Sequence, residues 1–427
     1  MDPISGGAFV AAAAIKVVTF FVLLLVFVAL STYFERKIAG FIQDRSGPNR
    51  VGPLGLLQVA ADGLKFILKE ELTPAGAHRF FFFLAPVLAL VPATVLFGVI
   101  PFAAPLPTPW GLVEMIVADV PIGFLYVLAI GSLGVYGVVM AGWSSNSKYS
   151  FLGGLRGSAQ MISYEIGLAM SLVPVLMLTG DVALPEIVAA QQNFGPGSGS
   201  YGAWFALPLM LSALIFVVSG LAETNRIPFD LPEAEGELVG GYHTEYSAMK
   251  FGMFFLGEYA HLITVSSLIT VFFLGGWDIP FWRGDDIRVL ADGTVLGNPA
   301  WWITLLTLGS FTLKTLLLVL FFMWVRWTIP RFRYDQLMDL GWKVFLPILM
   351  VYIMGTGVAV YALDTAGVPV GLRYTAILTA LNVAAVGLLV WGMDRGALVR
   401  GATARTRHPA ATGGRMAPPP AAGSEAE

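Results

Sequence analysis

Nine apolar runs of roughly 20 residues recur along the chain, each long enough to cross a hydrocarbon core of about 30 Å. They fall at 11–34, 80–101, 121–141, 159–178, 204–222, 251–274, 301–325, 343–363 and 372–392. No other feature narrows the fold so far. Backbone inside a bilayer has no water to bond, so such runs must satisfy their own N–H and C=O groups as helices. Composition agrees: of 427 residues 56% are hydrophobic and 12% charged, with a mean hydropathy of +0.75. The expected fold is an all-α polytopic membrane protein with about nine transmembrane helices. Residues 1–395 read as one integral membrane domain. Residues 396–427, rich in Ala, Pro, Gly and Arg, read as a disordered cytoplasmic tail.

Charge placement orients these spans. With the N-terminus outside, all but five of the 25 Lys and Arg fall on the inner side, as the positive-inside rule requires. Lys16, Arg283, Arg288 and Arg373 lie outside or at the outer edge, and Lys314 lies within the seventh run. The C-terminus is then inside, the parity nine spans demand. The first run is about twice as long as a signal-peptide core and lacks a charged leader, so it reads as a retained span.

One polar stretch breaks the charge rule. Residues 223–246 read ETNRIPFDLPEAEGELVGGYHTEY, where Glu223, Asp230, Glu233, Glu235, Glu237 and Glu245 face only Arg226 and the nearby Lys250. Pro228 and Pro232 restrict the backbone around Asp230, while Gly236, Gly240 and Gly241 permit sharp turns. These carboxylates are expected to be held in place.

The first inner segment opens with ERKIAGFIQDRSGPNRVGP and continues into a helix predicted over 54–70. Gln58, Asp62, Lys65 and Lys69 fall on a polar stripe about 60° wide, with Leu56, Leu57, Leu64, Phe66, Ile67 and Leu68 around the rest. Such a helix is an interfacial anchor with snorkelling lysines, or a cavity wall whose stripe faces a ligand. The residues alone leave both open.

Acids also occur within the spans. Glu165 follows Tyr164 in the fourth run, and Glu258 lies roughly 10 Å inside the sixth, beside Tyr259 and one turn before His261. An ionised group at such depth costs on the order of 2.5–3.5 kcal/mol, so these acids pair, protonate or line water. Each reads as part of a polar path or as a structural carboxyl bonded to a neighbouring hydroxyl; His261 reads as orienting Glu258. Lys314 calls for a carboxylate partner or a proton to carry. The loop RWTIPRFRYDQLMDLGWK places Arg331 and Arg333 ahead of Asp335 and Asp339. Of the outer loops, 102–120 is Pro-rich, 179–203 ends in Gly and Ser, and 275–300 has a turn between short strand-like pieces; none carries evident chemistry.

Several functions are excluded. Without cysteine the chain supplies no thiolates for an iron-sulfur cluster, and only His261 of its four histidines lies within a span, which excludes a bis-histidine haem. An EF-hand starting at Asp230 fails because Pro232 and Ala234 occupy ligand positions. No P-loop, nucleophile elbow or dinucleotide fingerprint is present, and nothing points to nucleic acid. What remains is carboxylates at several depths, suited to proton transfer. Sodium coordination is the rival reading.

Three motifs occur in order: ERKIAGFIQDRSGPNRVGPLGLLQVAADGLKFILKE, ETNRIPFDLPEAEGELVGGYHTEYSAMKF and RFRYDQLM. Together they resemble the family of H subunits of proton-pumping NADH-quinone oxidoreductase, respiratory complex I, over about residues 10–365. The resemblance implies a membrane protein that docks the peripheral arm and forms much of a quinone chamber. It implies Arg36, Arg45, Asp62, Lys65, Phe229 and Phe255 as chamber residues. Glu35, Glu165, Glu223, Asp230, Glu233, Glu235 and Glu258 would form an acidic path coupling quinone reduction to proton pumping, with Arg226, Arg331 and Arg333 balancing charge. With it, the narrow stripe on 54–70 favours the cavity wall. The chain itself would hold no redox cofactor; FMN and iron-sulfur clusters would belong to partner subunits, with small and antiporter-like membrane subunits alongside, in a bacterial plasma membrane. The tail, the long 275–300 loop and the ninth span depart from the family pattern. Two alternatives are a homologous subunit of a membrane-bound hydrogenase-type complex and a free-standing ion transporter.

Overall fold

The computed structural model describes residues 6–108, 111–192, 201–233, 235–280, 282, 284–285, 287–289 and 295–394. The tail expected to be disordered lies outside the described residues. Helix α1 (Gly6–Ile42) has 37 residues, about 55 Å, long enough to span the membrane and carry Glu35 and Arg36 near its C-terminal end. Next come α2 (Gln58–Leu68), α3 (Arg79–Phe97), the hairpin β1 (Ala103–Thr108) and β2 (Gly111–Met115), α4 (Gly123–Ser144) and α5 (Lys148–Thr179). Then follow α6 (Leu184–Gln191), α7 (Met210–Glu223), α8 (Glu235–Leu238), α9 (Ala248–Phe273), the two-residue strands β3 (Arg288–Val289) and β4 (Val295–Leu296), and α10 (Trp301–Thr328). A short α11 (Tyr334–Asp339) runs through a π turn at Leu340–Phe345 into α12 (Leu346–Thr365), and α13 (Leu372–Asp394) ends the described chain.

Among the described residues eight helices are long and apolar enough to cross a membrane. The expected fifth span, 204–222, is the shorter α7, whose 14 helical residues rise only about 21 Å. Pro208 and the turns before it take up the remainder. The ninth expected span is the regular helix α13, which is docked by Asn382: its side chain donates to the Pro208 carbonyl at 2.5 Å and accepts from the Tyr352 hydroxyl at 2.6 Å.

Three local expectations differ from the structure. The helix predicted over 54–70 begins only at Gln58, because Leu54 adopts φ +55 within a 3-10 turn at Pro53–Gly55. The Pro-rich 102–120 loop is a hairpin, and the 179–203 loop contains α6. Proline density hid the first; the second is an eight-residue helix in a segment with no strong period. The strand-like pieces of 275–300 do pair, Arg288 with Leu296 and Val289 with Val295.

Helix α9 is the hub, with 78% of its most apolar window buried, against 11% for α1 at the rim. Around it pack α3, α10, α1 and α7, and α4 with α5 complete the inner layer. Small residues allow the closest approach: a Cβ on Gly142 of α4 would stand 2.6 Å from the Ser150 carbonyl oxygen and 3.1 Å from the Gly154 Cα of α5. Lys314, for which a carboxylate partner was one expectation, also receives three backbone carbonyls. Its ammonium donates to Leu274, Gly276 and Asp278 at 2.7, 3.0 and 2.5 Å and lies 4.2 Å from the Trp204 ring centre. Gly275 and Gly276, both with positive φ, turn those carbonyls inward at the end of α9.

Candidate functional site: a polar cavity joined to a buried carboxylate chamber

Arg226 sits at the centre of the polar interior and is 1% exposed. Its loop leaves α7 at Glu223 and is tied to α5 by Gln160, whose amide donates to the Ala222 and Phe229 carbonyls, each at 2.7 Å. Expected to balance the acidic loop, the guanidinium acts on Glu233 of that loop by its charge and makes its closest contacts toward the spans. Its Nη1 meets Glu35 of α1 at 2.8 Å, its Nε meets Glu258 of α9 at 2.8 Å, and its carbon lies 4.2 Å from the centre of the Tyr259 ring. Burial works against the charge, but Glu35 and Glu258 outweigh it and hold the guanidinium pKa above its usual value. Glu35 also accepts from Tyr259 at 2.7 Å and from Arg326 in the last turn of α10. One acid on α1 therefore joins α9, α10 and the α7–α9 loop.

Two cavities meet at this cluster. On the side of α1 and α10 an open polar cavity of about 1210 Å³ is lined by Glu35, Arg36, Arg45, Gln58, Phe255 and Tyr259, among others. On the side of α3, α4 and α9 a narrow chamber is lined by Glu223, Glu233, Tyr242, Glu258 and His261. A narrower space of about 330 Å³ carries on from Glu223 and His261 to Glu165. Arg226 and its two carboxylates form the partition.

The expected cavity residues separate into two groups. Arg36, Arg45 and Phe255 line the open cavity. Asp62 stands behind it, accepting from Arg36 at 2.6 Å and from Gln58 at 3.0 Å, with Lys65 at 3.9 Å. The polar stripe of α2 thus supports the cavity wall, while Leu64, Ile67 and Leu68 on the opposite face are 59%, 67% and 82% exposed. Phe229 stands apart, buried between Tyr164 and Phe332.

The expected acids also converge unevenly. Glu35, Glu223, Glu233 and Glu258 line the cavities described, and Glu165 the narrow extension. Asp230 pairs with Arg331 at 2.7 Å, yet burial and the charge of Glu233 push its carboxyl up to about 7 against the pull of Arg331 and Arg326. Glu235 begins α8, but its side chain lies outside the described residues. Arg333 is exposed and 3.6 Å from Asp335, so it balances no buried acid. His261 approaches Glu223 of α7 at 3.4 Å, not Glu258 of its own helix.

Two partners were not singled out in the sequence. Arg326 stands in the last turn of α10, and only its basic character ahead of TIPRFR marks it. His243 reaches Glu233 at 3.2 Å. Burial raises Glu233 and lowers His243, but their hydrogen bond and mutual charge outweigh it, so Glu233 stays below its usual pKa and His243 above. A raised group stabilises below its unfolded pKa and loses that contribution as pH rises through the folded one; Asp230 and His243 both have this sign. The depressed Glu233 keeps its contribution above about 4.5 and loses it only on acidification. Residues 229–246 are thus expected to exchange amide hydrogen faster at about pH 8 than at about pH 6, after correction for intrinsic rates. Equal corrected rates would sink this assignment.

Among the described residues no group of three or more His, Cys, Asp or Glu could hold a metal ion. The arrangement suits a bound polar ligand next to a chain of exchangeable protons.

The family profile described as NADH dehydrogenase matches residues 15–357. The chain is 48% identical over 342 residues to the first H subunit of NADH-quinone oxidoreductase from Geobacter metallireducens, covering 80% of this chain and 94% of that relative. It is 47% identical over 349 residues to the corresponding H subunit of Rhodospirillum centenum, with 82% and 94% covered. That of Magnetococcus marinus is 48% identical over 352 residues, with 82% and 92% covered.

Proposed function

Since the chain belongs to the NADH dehydrogenase family and is a membrane subunit of an NADH-quinone oxidoreductase, we propose that its open polar cavity takes a quinone and its buried chamber answers quinone reduction with proton movement. The observation that carries this reading is the partition: one buried guanidinium touches an acid of each cavity, Glu35 on one side and Glu258 on the other. Arg36 and Arg45 supply fixed positive charge and hydrogen-bond donors at the cavity wall, and Phe255 with the Tyr259 ring supplies apolar surface for an isoprenoid chain.

Reduction of a quinone takes two electrons and two protons. The electrons come from iron-sulfur clusters in a docked partner fed by FMN, because this chain has no cysteine to hold a cluster. Charge arriving near Glu35 weakens or strengthens its hold on Arg226 and Arg326. Any shift of Arg226 changes the field at Glu258, and Glu258, Glu223 with His261, and Glu165 then load or release protons in turn. Asp230 and Glu233 form the inner side of this path, Asp230 held by Arg331. The protein works within a bacterial plasma membrane beside the peripheral-arm quinone-site and iron-sulfur subunits and the small and antiporter-like membrane subunits.

Purified complex in liposomes tests both halves. Glu258→Gln is expected to leave NADH-driven quinone reduction running while fewer protons are pumped per electron pair. Phe255→Trp, which narrows the cavity, is expected to raise KM for a long-tailed quinone more than for a short-tailed one. Full pumping in the first variant refutes the path, and equal KM effects in the second refute the cavity.

A further inference from the structure

A third cavity has no part in this reading. Between α1 and α10 runs a narrow apolar cleft, with Phe20, Phe27 and Ser31 on α1 and Phe311, Thr312 and Val319 on α10. We propose that this cleft binds one phospholipid from the leaflet on the N-terminal side of α1, with an acyl chain in the cleft and the phosphate at Lys16.

Length is the first argument. From Phe20 to Ser31 the helix rises about 16 Å, close to half of a hydrocarbon core of about 30 Å. The cleft is as long as one leaflet is thick. Lys16, Phe20, Leu23, Phe27 and Ser31 follow a spacing of four, three, four and four, which puts them on one face of α1. The cation therefore stands one turn beyond the aromatic end of the same stripe.

The mouth is built and charged. Phe102, which precedes the hairpin strand residue Ala103, stacks on Phe20 at 4.6 Å and meets Phe311 edge-on at 5.5 Å, so it bridges α1 and α10. Lys16 is drawn there by the hairpin, donating to the Glu114 and Ile116 carbonyls at 2.9 and 3.4 Å. Those acceptors are neutral carbonyls, so the ammonium is shared between the Glu114 carboxylate, whose charge it also meets, and a phosphate at the mouth. The exposed Glu114 beside it complements the ammonium of a zwitterionic headgroup.

The far end is closed, which separates this site from the quinone cavity. Ser31 is one turn from Glu35, and there Tyr259 and Arg326 converge on the Glu35 carboxylate and join α1, α9 and α10 across the seam. A chain lying in the cleft meets ion pairs at Glu35 and reaches the bilayer sideways, between Leu23 and Leu316, which are 43% and 37% exposed. An isoprenoid tail continuing from the quinone cavity would have to cross that cluster.

The test uses purified whole complex and phosphatidylethanolamine carrying a photoreactive group on an acyl chain. Labelled peptides are expected to map to residues 20–31 and 308–319, and excess unlabelled phosphatidylethanolamine is expected to cut the yield roughly tenfold. Thr312→Trp, at a cleft-lining position on α10, fills the cleft and is expected to abolish labelling while the complex assembles and reduces quinone normally; Lys16→Gln is expected to weaken it. Labelling that maps elsewhere, or persists in Thr312→Trp, overturns the proposal. So does competition by long-tailed quinone in place of phospholipid, which would assign the cleft to the quinone tail. Because the reading of the open cavity is tested by KM and pumping, its failure and the failure of this site are told apart.

Discussion

Arg226→Met is expected to destabilise the protein by about 3–5 kcal/mol, enough to lose it from the assembled complex. The wild-type guanidinium is buried and faces Glu35 and Glu258 together. Methionine fills a similar volume, so the loss measures charge and hydrogen bonding more than packing. What it leaves behind is two carboxylates in a low-dielectric interior with only Arg326 to oppose them, and each must find a proton or water. NADH-quinone reductase activity in membranes and the amount of this chain retained after purification should fall together. Arg226→Lys should recover little, because a point-charge ammonium cannot present Nε and Nη1 to two acids on different helices. The combination Arg226→Met, Glu35→Gln, Glu258→Gln removes the stranded charges and should assemble better than Arg226→Met alone. Normal assembly and activity in the single variant would show that the cluster does not hold the helices together.

The second large effect is expected at Gly241→Ala. Gly241 has φ +60, and a Cβ there would stand 1.6 Å from the Pro232 carbonyl oxygen. The left-handed conformation costs an L-residue roughly 1–2 kcal/mol, and the clash cannot relax without moving the backbone of the acidic loop. The other side is blocked as well, since Gly153 of α5 packs so closely that its own Cβ would lie 2.7 Å from the Gly241 Cα. The loop must therefore shift away from α5. Asp230–Arg331 and Glu233–His243 then lose their geometry, and the chamber loses its inner wall. The expected outcome is a complex with quinone reductase reduced at least tenfold and faster amide exchange over 229–246. Gly240→Ala serves as a control: its φ is −158, and its nearest neighbours are the Thr244 hydroxyl and the His243 ring. Equal activity in the two variants would rule out the backbone argument.

Much of the fold was legible because hydropathy acts residue by residue. A run of 20 apolar residues has one stable form in lipid whatever its neighbours do, and eight of the nine runs correspond to long helices. The exception, the run at 204–222, yields only the shorter α7 because Pro208 stands near its start, and apolarity alone says nothing of where a helix starts. The acidic loop was equally legible: glycines and prolines among carboxylates announce a held turn, and Gly241 and Asp230 are where that expectation is realised.

Partnership was not legible. Arg226 lies within the acidic loop, and the family motif implied that it balances the loop acids; its closest partners in the structure are Glu35, 191 residues away, and Glu258. His261 was read with Glu258 one turn off and instead meets Glu223 on another helix. Arg326 gave no signal beyond its charge, yet it shares Glu35 with Arg226. Phe229, grouped with the cavity by motif, is buried under Tyr164.

The sequence by itself determined that the chain spans a membrane as helices, that it carries acids at several depths, and that its motifs belong with the membrane arm of NADH-quinone oxidoreductase. Only the tertiary structure decided which acid meets which base and how the two cavities are divided. The physical reason is range. Transfer from water to lipid is a property of each segment, summed locally, whereas an ion pair in a low dielectric depends on distances of about 3 Å between groups on different helices. Those distances are set by how α1, α9 and α10 pack around the loop that carries Arg226.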